Sequence, residues 1–123
     1  MIAVIFEVHF ADGKKHEYLD IAANLKPHLE KVDGFISVER FQSLTHPSKI
    51  LSLSFFENEE AVANWRTLKV HRNGQKRGRQ TVFENYRLRI ASVIRDYGMF
   101  ERDQAPDDSR RCHDQTSNKA VGP

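Results

Sequence analysis

The order in which two hydrophobic periodicities follow one another constrains this chain more than any other feature. Residues 2–10 (IAVIFEVHF) alternate apolar and mixed positions, which is the period of two expected of a half-buried β-strand. In residues 16–32 the apolar side chains recur every three or four positions, which indicates an amphipathic helix. Two more strand patterns follow at 35–43 and 50–56, and Asn58 is a suitable N-cap for a second helix.

A long strand pattern over residues 85–97 completes the order strand, helix, strand, strand, helix, strand. Two split βαβ units produce this order. We therefore expect an α+β, ferredoxin-like βαββαβ fold, in which four antiparallel strands form one sheet and both helices cover the same face. Pro27 should kink the first helix or start a new turn, and Gly74 and Gly78 should break the second helix after His71.

Apolar residues become scarce after residue 100. Residues 101–123 contain only Ala105, Cys112, Ala120 and Val121 as apolar side chains, and such a segment cannot bury enough surface to offset the entropy of ordering. We therefore expect one globular domain over residues 1–100 and a flexible C-terminal tail over residues 101–123.

Composition excludes several classes of protein. The chain is 39% hydrophobic and 29% charged, as is typical of soluble globular domains. No stretch reaches the roughly 20 apolar residues of a membrane span, and the first residues lack the pattern of a signal peptide. A single cysteine, Cys112, cannot form a disulfide within the chain, which favours a reducing compartment. We expect a cytoplasmic protein without a membrane partner.

The predicted fold leaves one sheet face without helices. On the last strand this face carries Ala91, Val93 and Tyr97, and exposing such a patch in a monomer is unfavourable. Two sheets that pair face to face would bury it. We therefore expect a homodimer, arranged as a dimeric α/β barrel.

Three segments resemble the antibiotic biosynthesis monooxygenase (ABM) family. They are GFISVERFQS after the first helix, ILSLSFFENEEAVANWR leading into the second helix, and YRLRIASVIRDYG in the last strand. The resemblance covers about residues 1–98. Known members include cofactor-independent, quinone-forming monooxygenases, haem-degrading enzymes and proteins without an assigned substrate.

The resemblance implies a small cofactor-independent monooxygenase that acts on an aromatic or polycyclic substrate in a pocket between sheet and helices. Such chemistry takes its electrons from the substrate, as a phenolate or enolate, and needs a dry cavity with a proton acceptor and a proton donor. The alternative is a non-catalytic, dimeric ligand-binding or stress-associated protein with the same cavity. No metal or bound cofactor is expected, because the histidines and the cysteine form no cluster with ligand spacing.

Trp65 and His71 are the first candidate site residues. Trp65 is either a core aromatic or a pocket wall on which a flat substrate stacks; the family has a tryptophan that borders the cavity here. His71 follows by six residues, which on one continuous helix places it at the edge of the Trp65 face. It is either a surface histidine or a general base or hydrogen-bond donor near the pocket mouth. The resemblance implies that the quinone-forming members have a tyrosine at this position.

Three further polar residues could bind the substrate. Tyr86 and Ser92 share one face of the last strand and could donate hydroxyl hydrogen bonds into the pocket. Arg40 is the polar member of an otherwise apolar row, so it either holds an anion, as Arg87 also could, or forms a structural ion pair. The ion pair, with Glu7 as the partner, is the simpler account of Arg40.

The haem-degrading members share an asparagine in the first strand and a histidine ten residues after the tryptophan, which ligates iron. This chain has no asparagine in residues 2–10 and has Gln75 at the second position. Haem degradation is therefore the less favoured alternative.

Residues 66–79 contain six basic and no acidic side chains. They form either a solvated helix face or a basic rim that attracts an anionic ligand. Nucleic acid ranks third, because the stacking aromatics of a single-strand platform are absent. We expect a small aromatic molecule and no nucleic acid as the partner.

Overall fold

A computed structural model describes residues 1–114 of the chain. Its four strands are β1 (Ile2–Phe10), β2 (Phe35–Gln42), β3 (Lys49–Phe56) and β4 (Phe83–Ser92). Its helices are α1 (Lys15–Glu30), α2 (Glu59–Thr67), α3 (Lys69–Arg77) and the short α4 (Asp107–Ser109). Gly78–Val82 and Arg110–Asp114 form π-helical turns. The expected α+β, ferredoxin-like order is confirmed, with the second helix divided in two.

The strands form one antiparallel sheet in the order β2-β3-β1-β4. Side chains that face each other across an antiparallel pair point to the same side of the sheet. Val4 pairs with Ser54 and Ile90, so these three lie on the face covered by the helices, which we call the inner face. Ala3 pairs with Phe55 and Ala91 on the opposite, outer face.

The helices close the inner face around two buried clusters. The first joins Val8, Phe10 and Ile50 of the sheet to Tyr18 and Ile21 of α1 and to Val82. The second joins Phe56 of β3 to Leu29 of α1 and to Ala61 and Val62 of α2. The spacing of these apolar residues along each helix is what turns the helices toward the sheet.

The connections explain where the elements begin and end. The Asn58 side chain accepts a hydrogen bond from the Ala61 amide at 2.9 Å, which caps α2 as expected. Gly34, between α1 and β2, has φ +88°, and a Cβ there would lie 2.8 Å from that of Ala61, so the turn requires glycine. Pro27 lies inside α1, which continues to Glu30.

Two boundaries differ from the sequence-based expectation. β4 ends at Ser92 rather than at residue 97, because Ser92 pairs with Ile2, where β1 begins, and the ladder has no partner beyond it. The second helix breaks at Leu68, which is extended (ψ 137°), and not at Gly74. The Thr67 hydroxyl donates to the carbonyls of Ala63 and Asn64 in the last turn of α2 and so competes with helix continuation.

Gly74 lies within α3 for a packing reason. A Cβ at this position would lie 3.0 Å from Leu25 Cδ1 and 3.3 Å from Ile21 Cγ2 of α1. The glycine therefore permits the close approach of α3 to α1. The expected change near Gly78 is observed, since the π-helical turn begins there.

The chain divides into two compact units, of which the first is Met1–Ser92 and the second begins at Val93. In the second unit Arg102 donates to the Asp114 carboxylate at 2.9 Å and to the Ser109 hydroxyl at 2.6 Å. Residues 115–123 of the expected tail lie outside the described residues, and the division into a domain over 1–100 and a flexible tail stays a prediction.

No helix within residues 1–114 is both long enough and apolar enough to span a membrane.

Candidate functional site

A cavity of about 630 Å³ lies between the inner face and helices α1 to α3. Its walls include members of both clusters of the core, with Phe6 and Leu25 from the side of the first cluster and Val4, Val38 and Trp65 from the side of the second. The volume is in the range of small-molecule sites. All of its walls belong to the first unit of the chain.

Trp65 and His71 stack against each other in the cavity wall. Their ring centroids are 4.5 Å apart and the ring planes are inclined by 31°. On one continuous helix His71 would lie at the edge of the Trp65 face. In the structure the break at Leu68 separates the two residues, and the turn it makes brings the imidazole back over the indole.

The surroundings of His71 determine which ring nitrogen carries the proton. Nδ1 lies 3.4 Å from the carbonyl oxygen of Arg66, and because a carbonyl only accepts, Nδ1 is the donor in this long hydrogen bond. Nε2 then holds the lone pair. Burial lowers the pKa of His71 below its ordinary value of 6.5. The hydrogen bond to the Arg66 carbonyl opposes this with a smaller effect, and the neighbouring Arg72 charge, the smallest of the three causes, lowers the pKa further. The neutral imidazole is therefore the prevailing form at neutral pH.

Arg40 projects from β2 onto the inner face and lines the cavity. The structural ion pair with Glu7 is wrong, because Glu7 lies on the outer face, where it pairs with Arg89 at 2.7 Å and Lys49 at 3.1 Å. Arg87, paired in register with Glu7, is also on the outer face. Successive residues of a strand point to opposite faces. Ser52 pairs with both Arg40 and Phe6, so Arg40 shares the face of Phe6 and lies opposite to that of Glu7.

Tyr86 lies at the β4 side of the cavity within a group of aromatic rings. Its ring centroid is 5.5 Å from that of Phe6 and 5.8 Å from that of Phe83. Ser92 is on the same strand face as Tyr86 but is not among the lining residues, since it lies at the end of β4 opposite Ile2. The cavity therefore brings together Trp65, His71, Tyr86 and Arg40 of the expected site, and leaves out Ser92.

Several polar lining residues were not site candidates from the sequence, where Gln75 was named only as the residue that replaces a haem-ligating histidine. Ser52 and Ser54 of β3 line the cavity; Ser52 is the register partner of Arg40. Gln75 also lines it, four residues after His71 and so on the same face of α3. The two-residue period of β3 could have indicated Ser52 and Ser54, and the four-residue spacing from His71 could have indicated Gln75.

The basic segment contributes the rim of the cavity. Arg66, Arg72, Lys76 and Arg79 all line it. The sequence left three interpretations of residues 66–79: a solvated helix face, a basic rim and a nucleic-acid site. The placement of these four side chains agrees with the basic rim.

Comparison with known proteins assigns the family. The family model described as antibiotic biosynthesis monooxygenase (ABM) matches residues 1–87. The chain belongs to the ABM family. The match includes β1 to β3, helices α1 to α3 and the first half of β4, and so most of the cavity of this ABM domain.

A curated relative carries the name jasmonate monooxygenase ABM and comes from Pyricularia oryzae. It is 44% identical over 93 residues, which are 76% of this chain and 43% of the relative. The chain therefore spans less than half of the length of that protein.

Solved structures support the ABM fold at low sequence identity. A putative antibiotic biosynthesis monooxygenase from Deinococcus radiodurans superposes with a TM-score of 0.72 at 10% identity, covering 80% of this chain and 97% of that one. One from Nitrosomonas europaea gives a TM-score of 0.68 at 11% identity, covering 76% and 99%. At these identities the likeness concerns the fold alone.

Proposed function

We propose that this ABM domain is a cofactor-independent monooxygenase that oxidises an aromatic or polycyclic substrate in the cavity between the sheet and the helices. The observation that carries the proposal is the stacked Trp65–His71 pair in the cavity wall, with His71 Nε2 as an unprotonated acceptor. The indole offers a flat apolar surface for a ring, and the imidazole offers a base beside it.

The reaction we propose converts an activated ring CH₂ group into a carbonyl. His71 Nε2 takes one proton from the CH₂ carbon, and the resulting carbanion, delocalised as an enolate or phenolate, transfers electrons to O₂ and forms a C–O bond. The peroxide takes the proton back, its O–O bond breaks, and the second C–H hydrogen leaves with the distal oxygen as water. One oxygen atom stays on the substrate, and the substrate supplies all four electrons.

The remaining cavity residues support this chemistry. Apolar walls keep bulk water from the carbanion and the peroxide. The Tyr86 hydroxyl is a donor for the developing peroxide, and the Arg40 guanidinium holds a negatively charged group of the substrate. Ser92 has no role in this proposal, because it does not line the cavity.

The test is oxygen consumption by the purified protein with a panel of hydroquinones and anthrones, followed by the mass of the product after reaction in ¹⁸O₂. The name of the Pyricularia oryzae relative adds jasmonate to the panel. We expect oxygen uptake with at least one compound and one ¹⁸O atom in its product. Ligand binding without oxygen uptake across the panel would contradict catalysis and favour the non-catalytic ligand-binding alternative.

We also propose a cytoplasmic homodimer that buries the outer face. Ala91 lies on that face beside half-buried apolar side chains of β1 and β3, whereas Val93 and Tyr97 follow β4 rather than belonging to it. Phe41 of β2 lies on the same face and is 42% exposed, and exposed apolar surface is typical of an interface. Light scattering at micromolar concentration should give twice the chain mass of 14.3 kDa, and a stable monomer would contradict the proposal.

A further inference from the structure

The charges around the cavity are of one sign. Six basic side chains line it, and no aspartate or glutamate among residues 1–114 does so. The whole chain has a formal net charge of only +2, with 17 acidic residues, so the acids are placed elsewhere on the surface. A cavity lined in this way attracts anions and raises their local concentration.

Arg40 differs from the other five basic side chains in its position. Lys26, Arg66, Arg72, Lys76 and Arg79 belong to helices or to the turn after α3 and are exposed. Arg40 comes from β2, the edge strand of the sheet, where it lines the cavity, is half-buried and has Ser52 of β3 as its register partner.

Arg40 also lacks what a buried cation in a protein normally has. Its Nε atom is buried without a hydrogen-bond partner among the described residues. The four ion pairs of that part of the chain do not include it. Leaving a buried donor and a partly desolvated charge unpaired is costly, so the unpaired Arg40 Nε needs an explanation, and a ligand that enters the cavity and binds the guanidinium is one.

We propose that Arg40, flanked by the hydroxyls of Ser52 and Ser54, is the binding site for the anionic head group of the ligand, and that the ligand is an amphiphilic organic acid. A carboxylate accepts two hydrogen bonds from a guanidinium fork, and a serine hydroxyl can donate a further one. The apolar body of the acid then lies against Trp65 and Phe6. This inference rests on the proposed function, because it names the substrate class of the same cavity.

Binding measurements test this inference without requiring turnover. The probes are matched pairs, each a carboxylate and its uncharged primary amide on the same phenyl, cyclohexyl or naphthyl body. Calorimetry gives their affinities for the wild type and for Arg40→Gln, and thermal denaturation verifies that the variant folds. Arg79→Gln is the matched control, since it removes the same charge from the exposed rim of the cavity.

We expect the wild type to bind the carboxylates about 10- to 100-fold more tightly than the amides, because a hydrogen-bonded charge pair is lost in the amide. Arg40→Gln should remove most of this preference, whereas Arg79→Gln should reduce it by less than about threefold, and only at low salt. Arg40→Lys keeps the charge without the fork and should retain part of the preference. It also provides the comparison should Arg40→Gln fail to fold.

Equal binding of acid and amide by the wild type, or failure of every probe to bind at millimolar concentration, would overturn the inference. So would a preference that persists in Arg40→Gln and disappears in Arg79→Gln, since the rim would then be responsible. A carboxylate preference that depends on Arg40, together with no oxygen uptake, would leave the anion site in place and contradict only the proposed oxygenation. Oxygen uptake without a carboxylate preference would support the proposed oxygenation and contradict the anion site at Arg40.

Discussion

Charged residues on the two sheet faces differ in whether they have a partner of opposite charge. On the outer face Glu7 is held between Arg89 and Lys49, at 2.7 and 3.1 Å. On the inner face Arg40 lines a cavity and pairs with no acidic side chain of the described residues. Glu7 lies on the central strand β1, with a basic partner on each neighbouring strand, whereas Arg40 lies on the edge strand β2 and on the opposite face.

The comparison separates charges that serve the fold from charges that serve a ligand. The Glu7 group is complete within the sheet and joins three strands, β1, β3 and β4. Arg40 is complete only when something enters the cavity. Variants on the outer face should therefore change stability, and variants of the cavity should change binding and turnover.

The largest expected effect is a loss of stability, and it distinguishes a side chain of the packed core from one in the cavity wall. Phe56 is 0% exposed, and Phe56→Ala should lower the free energy of unfolding by about 3–5 kcal/mol. Trp65 is only partly buried and borders the cavity, so Trp65→Ala should cost about half as much, near 2 kcal/mol. Urea denaturation measures both values. Equal losses would mean that Trp65 is mainly a core residue.

His71→Gln should separate turnover from stability. Loss of the base should reduce kcat about 100-fold or more, with little change in the urea midpoint, because the imidazole is at the cavity margin rather than in either buried cluster. His16→Gln is the matched control, since His16 is exposed on α1 and does not line the cavity. A variant at position 71 with wild-type kcat would remove His71 from the mechanism.

The pH dependence should differ between the two faces. The pKa of His71 is lowered by burial, so kcat/KM should fall as the pH drops through a value below 6.5. Below pH 6.5 the unfolded state takes up this proton first, so stability also decreases there, and His71→Gln should remove that part of the decrease.

The outer face responds only at more acidic pH. Hydrogen bonds from Arg89 and Lys49 lower the pKa of Glu7 below its ordinary value of 4.5, so its contribution to stability is present above pH 4.5 and is lost as the pH falls through the lowered pKa. Activity assays and denaturation across pH distinguish the two effects. An activity profile with its inflection above pH 6.5, unchanged in His71→Gln, would contradict the assignment of the base.

The smallest expected effect concerns haem. Gln75 is on the cavity wall at the position where haem-degrading members have their ligating histidine, and a carboxamide is not an established axial ligand of haem iron. Titration with haemin should give no saturable shift of the Soret band at one haem per chain. Gln75→His is the informative comparison, because it restores the missing imidazole at that wall. A stoichiometric shift in the wild type would show that another residue binds iron.

Most of the fold could be predicted from the sequence, because it depends on local periodicity. Alternation in residues 2–10 and the cap at Asn58 each act within a few residues, and the observed elements agree with them. The end of β4 and the break at Leu68 could not be predicted in this way. The first depends on where β1 begins, and the second on a hydroxyl that bonds backward within its helix.

The sequence indicated which residues belong to the candidate site better than it indicated which of their side chains contact one another. Residue type, strand or helix face and the family resemblance together indicated Trp65, His71, Tyr86 and Arg40, which line the cavity, and Ser92, which does not. The predicted pairing of Arg40 with Glu7 was wrong. Whether two residues on different strands share a face depends on the register, and β1 and β2 are not neighbours in the sheet, so their relative register is set through β3. The stacking of His71 on Trp65 depends on a chain reversal that helical spacing does not contain.

Thermal denaturation with and without 4-phenylbutanoate tests the contrast between the two faces most directly, on wild type, Arg40→Gln and Arg89→Gln. Arg40→Gln should melt at or above the wild-type temperature without ligand and lose the ligand-induced rise in Tm. Arg89→Gln should melt at a slightly lower temperature and keep the full rise, because its charge pairs with Glu7 on the other face. A rise that persists in Arg40→Gln, or disappears in Arg89→Gln, would contradict the division of the sheet into a structural face and a ligand-binding face.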